Sequence, residues 1–104
     1  MAIKKPLNMG DLERWMGQIN VSRSGRRLTA QDIADMSVED LLSCTIIDSS
    51  LPEENPPIQV TQTPDQIFLK GGVVDTKFSR DYFENLRAYH VIGCIYAASN
   101  DIVS

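Results

Sequence analysis

The sequence of 104 residues has few side chains suited to catalysis or metal binding, with one histidine and two cysteines. A catalytic histidine needs a nucleophile or proton-transfer partner within reach. A structural zinc site usually needs four ligands. His90 and Cys94 can share a helix face, but only Cys44 remains as a third Cys or His ligand. Walker A, H-E-x-x-H, G-x-G-x-x-G, G-x-S-x-G and EF-hand motifs are absent. We therefore predict no cofactor, no metal site, no catalytic residue and no enzyme activity.

Long apolar runs are also missing, and the longest falls far short of the roughly 20 residues that a membrane-spanning helix needs. The first residues, Met-Ala-Ile-Lys-Lys-Pro, carry charge but no apolar segment typical of a signal peptide. The sequence therefore predicts no membrane association and a cytoplasmic location. We interpret Cys44 and Cys94 as buried thiols, because both lie among apolar residues. A disulfide between them would require an oxidising compartment.

Positive charge is absent from residues 29–57, which contain seven acidic residues. Residues 1–28 show the reverse pattern, with six basic residues against two acids. A basic segment beside an acidic one can fold back on itself or meet the opposite segment of another copy. The net charge of −4 argues against a generally basic nucleic-acid binder.

The length and composition predict one α+β domain over residues 1–104. Its apolar share of 42% and charged share of 23% are ordinary for a globular domain. We expect a helical part at about 8–47, a proline-rich loop at 48–57 and a strand-plus-helix part at 58–99. The expected architecture has short N-terminal helices, a three-strand antiparallel meander and a long C-terminal helix packed on it.

Helix-capping residues mark three helix starts in the first half. Asn8 is a good N-cap for a helix over about 9–20. Thr29 and Ser37 each precede an aspartate by three residues, which is a capping-box spacing with Asp in place of Glu or Gln. The two boxes predict helices at 30–36 and 38–46, and the basic segment 21–28 is expected to be a loop. The residues expected on the core side of these helices are Ile33, Met36, Leu41 and Leu42, with Ile46 as a further candidate.

Alternating apolar and polar residues predict strands in the second half. Residues 58–62 alternate in this way. Residues 66–69 and 72–75 flank Lys70-Gly71, and this arrangement predicts a hairpin with its turn at Gly71-Gly72. Together these segments would form the meander, which needs a helix against one face for stability.

The last quarter of the chain predicts one long helix over about 79–98, capped by Ser79. Its first half, 79–87, is amphipathic, whereas 88–98 is apolar on nearly every side. Such a helix should be buried on several sides, by its own core and by a second copy or another subunit. We therefore predict an interaction or assembly module that has a protein partner or forms a homo-oligomer. The interface candidates are Trp15, Tyr89, Val91, Ile92, Ile95 and Tyr96.

The basic segment supports an alternative function. Arg23, Arg26 and Arg27 run into the capped helix start at Thr29, and guanidinium groups there are suited to an anion or phosphate. Residues 28–42 also look faintly like a helix-turn-helix, although the second helix would present Glu39 and Asp40 to the DNA phosphates. Nucleic-acid or phosphate binding through the three arginines is therefore the less favoured hypothesis.

Overall fold

The computed structural model describes residues 8–49, 57–71, 74–83 and 85–103. They form an α+β fold of helices and antiparallel sheets, as the sequence predicts. The helices are α1 (Met9–Gln18), α2 (Ala30–Ala34), α3 (Val38–Leu41) and α4 (Ala88–Val103), with a 3-10 turn at Arg80–Tyr82. The strands are β1 (Ile19–Arg23), β2 (Arg26–Arg27), β3 (Thr45–Asp48), β4 (Gln59–Gln62), β5 (Gln66–Gly71) and β6 (Val74–Ser79).

A three-stranded sheet in the first half, in the order β2-β1-β3, was not predicted. Strand β1 pairs antiparallel with both neighbours, with Val21 opposite Ile46 in β3. The helices predicted to reach residue 20 and to cover residues 38–46 are therefore wrong where strands form. The predicted loop at 21–28 is wrong for the same reason. Short β-branched stretches explain the difference, because Thr45, Ile46 and Ile47 lose side-chain freedom in a helix and pack well in a strand. Residues 8–47 consequently contain three strands in addition to helices.

The three helix starts predicted in the first half are confirmed. The Asn8 side chain accepts hydrogen bonds from the N–H groups of Gly10 and Asp11. At Thr29 the capping box is reciprocal, since the hydroxyl accepts from Asp32 N–H and the Asp32 carboxylate accepts from Thr29 N–H. Ser37 accepts from the N–H three residues on and starts α3. Helices α2 and α3 are shorter than predicted, with only five and four residues.

The second sheet is the predicted meander, in the order β4-β5-β6. Its β5–β6 turn lies later than predicted, because Gly71 is still in β5 and pairs with Val74. A Cβ atom at Gly71 would lie 2.6 Å from Ile58 Cα and 2.9 Å from Pro57 O. Gly71 therefore allows the chain just before β4 to approach the end of β5 closely. Of the predicted 48–57 loop, Asp48 belongs to β3, and residues 50–56 lie outside the described residues.

The final helix begins nine residues later than predicted, at Ala88. Residues 79–87 do not form its amphipathic first half, because pairing with β5 carries strand β6 through Ser79. Asn85 adopts a left-handed backbone conformation, with φ of 57°, and this interrupts any helix before Ala88. Ser79 does not cap a helix, and its hydroxyl donates to the Asp81 carboxylate instead.

Helix α4 lies in the middle of the hydrophobic core. It packs against α1, α2, α3, β1 and β6, so elements of both halves of the chain surround it. Ala88, Val91, Ile92 and Ile95 have no exposed surface. Helix α4 is thus the common core element of the two sheets and the short helices.

Candidate functional site

Three of the predicted interface residues belong to the core. Val91, Ile92 and Ile95 are each 0% exposed in the isolated chain. They were selected because the sequence suggested more apolar helix surface than a three-stranded meander could cover. Strand β1 of the first sheet and the helices α1–α3 supply the missing cover, so these residues present no surface to a partner in this fold.

The three predicted aromatic interface residues are only partly buried. The Trp15 ring lies over Gly93, where a Cβ atom would approach its Cη2 and Cζ3 atoms to 3.1 Å. The Tyr96 ring lies beside it, with the two ring centroids 6.4 Å apart. Trp15 thus joins α1 to α4, and Tyr89 also packs against the core. These residues anchor the fold and keep some accessible surface.

The three arginines of the alternative hypothesis lie on the β1–β2 hairpin and are exposed. Arg27 Nη2 donates to the Met16 carbonyl oxygen at 3.2 Å, on the last turns of α1. Arg26 Nη2 lies 3.7 Å from Asp32 Oδ2. Two of the three guanidinium groups therefore have partners within the chain.

The cleft beside this hairpin, of about 560 Å³, is lined by both signs of charge. Arg23 and Arg26 share it with Asp32, Asp35 and Asp40. The acidic segment thus folds back onto the basic hairpin, which was one of the two outcomes expected from the charge pattern. The neighbouring α2 N-terminus is already occupied by the Thr29 capping box. This arrangement does not favour an added phosphate.

His90 caps the N-terminus of α4. Arg87 N–H donates to His90 Nδ1 at 2.8 Å, so Nδ1 is the unprotonated nitrogen of the ring. The ring stacks on Phe83, with centroids 4.4 Å apart and planes 21° apart. Partial burial, and secondarily the Arg87 charge, lower the pKa of His90. The imidazole therefore stabilises the helix start in its neutral form.

The two cysteines pack against the core but are only partly buried, so the prediction of buried thiols is confirmed only in part. Burial raises the pKa of Cys94 to about 11 and also raises the pKa of Cys44. Both thiols are therefore protonated near neutral pH and are weak nucleophiles. Both are free cysteines. Among the described residues, no group of three or more His, Cys, Asp or Glu side chains is placed to hold a metal ion, and no helix there is long and apolar enough to span a membrane.

The sequence did not predict a cleft where the two sheets meet, which we call the β3–β4 cleft. Ile58 N–H donates to Ile46 O at 2.7 Å, and this is the bridge between β3 and β4. Beyond the bridge the two strands separate and enclose a cleft of about 270 Å³. Among the described residues, no charged side chain lines it: its walls are Leu41, Leu42, Cys44, Thr45, Ile46, Pro57, Ile58, Gln59, Val60 and Thr61.

One exposed aliphatic side chain lines this cleft, and a second follows the lining residue Ile46 on β3. Leu42 lines it and is 36% exposed, and Ile47 lies on the outer face of β3 and is 45% exposed. The prediction that Leu42 faces the core is therefore wrong. A signal was present in the sequence, because adjacent residues on a helix do not share a face and Leu41 takes the buried position.

The comparisons with known proteins add no assignment, since no family model matches the chain and neither a curated protein nor a solved structure is significantly similar to it.

Proposed function

We propose that this protein is a non-catalytic protein–protein interaction module, acting in the cytoplasm as a small subunit, adaptor, inhibitor or assembly component. The observation that carries the proposal is the β3–β4 cleft, which has no charge among its described lining residues, the exposed Leu42 at its wall and a sheet edge along one side. Exposed apolar surface beside an incomplete sheet is suited to contact with another polypeptide.

The location of the contact differs from the one first predicted. Val91, Ile92 and Ile95 of α4 are buried by the chain itself, so the support now comes from the β3–β4 cleft and from the exposed Ile47 on β3. Phosphate or nucleic-acid binding is less well supported. Asp32, Asp35 and Asp40 share the hairpin cleft with the arginines that would have to bind a phosphate.

The test is the size of the complex that the tagged full-length chain forms in an extract of its natural source, together with sedimentation of the purified chain. Leu42→Lys places a charge at the cleft wall, so we expect it to release the partner. Gln31→Lys adds the same charge at an exposed position on α2 and should leave the complex intact. A strictly monomeric wild-type chain that forms no complex would overturn the proposal.

A further inference from the structure

We propose that the β3–β4 cleft binds an extended peptide segment of a partner protein, which adds to β4 as a further strand. This inference rests on the proposed interaction function and specifies how the partner is held. The occupant is an extended segment with an apolar residue opposite Val60 and no charge beside the cleft wall.

The hydrogen-bonding directions of β4 support strand addition. Thr63 N–H donates to Gln66 O on the β5 side, whereas Ile58 N–H donates to Ile46 O on the opposite side. Backbone groups of an antiparallel strand alternate between its two sides, so those of Val60 and Gln62 point away from β5. Among the described residues, no hydrogen bond to these outward groups is seen. They offer two donors and two acceptors to an added strand.

Two of the other three sheet edges, β2 and β6, are protected, and β4 is not. Strand β2 is only two residues long, and both of its residues are arginines. The outward positions of β6 include Asp75 and Lys77, because β6 pairs with β5 through the alternate residues. Charges and short strands are the devices by which proteins prevent unwanted strand pairing. Strand β4 has no charged residue over its whole length.

The shape of the cleft selects a single extended chain as the occupant. Leu42 and Cys44 form the wall opposite Val60, and the Ile46–Ile58 bridge closes one end. A second copy pairing through β4 would also bring its β5, one strand spacing of about 4.8 Å further into that wall. A single extended peptide brings no second strand toward this wall, which favours a peptide over a second copy as the occupant of the cleft of about 270 Å³.

The register predicts which peptide positions matter. Two peptide residues, separated by one, would exchange hydrogen bonds with Val60 and Gln62. Their side chains lie on the same sheet face as Val60, which packs toward the core, so an apolar side chain opposite Val60 would contact Leu41 and Leu42. The residue between them lies opposite the exposed Thr61 and tolerates most side chains.

The first experiment selects binders of the full chain from a library of short random peptides displayed on phage, then remakes the best peptide with single N-methyl groups. Methylation of either residue that donates to β4 should weaken binding by about tenfold or more, because it removes one hydrogen bond and adds bulk at the strand edge. Methylation of the residue between them should leave the affinity unchanged. Uniform losses at all positions, or the absence of any selected peptide, would contradict strand addition.

The second experiment uses a matched pair of protein variants. Gln62→Pro removes an outward N–H while leaving the β5 ladder intact, because proline is tolerated where the N–H faces away from the sheet. Gln62→Ala keeps this N–H and loses the same side-chain contact with Arg80 as the proline variant does. With equal melting temperatures, only Gln62→Pro should lose the selected peptide. Loss in both variants, or in neither, would overturn the proposed pairing.

Amide hydrogen exchange identifies the occupant. Adding the selected peptide should slow exchange at Val60 and Gln62 by about tenfold or more, with little change at Gln59 and Thr61, which already face β5. Slowing that follows protein concentration without peptide would show that a second copy fills the cleft. Full protection in the dilute chain would show that the chain fills it itself. Either result overturns the peptide proposal, whereas the complex and its loss in Leu42→Lys test the interaction function independently.

Discussion

The arginine hairpin and the β4 edge are opposite kinds of surface. The hairpin contains the three arginines that the sequence indicates as candidate phosphate ligands. Of these, Arg26 lies beside Asp32 and Arg27 donates to a carbonyl of α1. The β4 edge consists of Gln, Val and Thr, and its outward backbone groups have no hydrogen-bond partner among the described residues. Unpaired backbone groups, and not the exposed arginines, are therefore the basis of the binding surface that we propose.

The largest expected effect on the free energy of unfolding comes from a substitution at a fully buried residue of α4. Ile92→Ala should lower the free energy of unfolding by about 2–5 kcal/mol, because it leaves a cavity at a fully buried site in α4. Ile47→Thr, at an exposed β3 position, should change it by less than about 1 kcal/mol. Chemical denaturation of the two variants measures both values. Equal effects would mean that α4 is not the closed core helix described above.

A second substitution tests the junction beside the β3–β4 cleft, where Gly71 contacts the Pro57–Ile58 backbone. Gly71→Ala should destabilise the fold by about 1–3 kcal/mol, because its Cβ would overlap the Pro57–Ile58 backbone. It should also disturb the Ile46–Ile58 bridge, seen as faster amide exchange at Ile58.

Gly17→Ala in α1 is the matched control, since nothing lies within 4 Å of the added methyl group. Alanine is the better helix former, so this variant should gain about 1 kcal/mol. A destabilised Gly17→Ala variant, or an unaffected Gly71→Ala variant, would contradict this account of the junction.

The third prediction concerns the closed N-terminus of α2, next to the arginine hairpin. Thr29→Ala should cost about 1 kcal/mol, since it removes the hydroxyl half of the capping box. The Ser37→Ala variant loses the corresponding bond at α3, where only the hydroxyl half is formed, and should cost less. Thermal unfolding would rank the pair, and the reverse order would indicate that the reciprocal bond contributes little.

A smaller effect is expected from the His90 cap. Because its pKa is lowered in the folded chain, the unfolded chain binds the proton more readily. The cap is therefore fully stabilising above the ordinary histidine pKa of about 6.5 and is lost as the pH falls through the lower, folded-state value. The denaturation midpoint should decrease between pH 7.5 and pH 5.

His90→Gln is the control for this pH dependence. Glutamine can accept the Arg87 N–H bond at the same helix position without titrating. His90 is the chain's only histidine, so the variant should lose most of the dependence in this range. An unchanged pH profile would assign the effect to other groups.

The smallest effect is expected for nucleic-acid binding by the arginine hairpin. The wild-type chain should show little salt-dependent binding to labelled nucleic acid, and changing Arg23, Arg26 and Arg27 together to alanine should alter it little. The acids lining the same cleft oppose phosphate binding. Strong binding at low salt that weakens as salt is raised, and that disappears in the triple variant, would break the comparison in favour of the hairpin.

Local signals predicted about half of this fold. Three capping residues mark helix starts: Asn8, Thr29 and Ser37. The side-chain oxygen of each accepts hydrogen bonds from N–H groups two or three residues later in the chain. The meander could be predicted because it depends on alternating apolar and polar residues and on turn residues that are close together in sequence. Strand β1 was missed because it follows α1 without a loop, and Ile19 continues the helical spacing of the apolar residues. The first sheet depends on pairing with β3, more than twenty residues away.

The candidate site was predicted less well than the fold. Val91, Ile92 and Ile95 were correctly recognised as needing cover, but the cover comes from the chain itself. Leu42 was assigned to the core because its pattern does not show which of two adjacent leucines faces inward. The protein partner, the oligomeric state and the cytoplasmic location remain predictions.

The sequence by itself determined the α+β class, the helix starts, the meander and the apolar character of α4, because these depend on propensities and contacts within a few residues. Only the tertiary structure decided which apolar side chains are buried, which charged groups have partners within the chain, and which groups are exposed. That decision depends on how distant strands pair and on Gly71 allowing the chain just before β4 to approach β5 closely. It depends also on the Ile46–Ile58 bridge, beyond which the β4 edge is unpaired among the described residues.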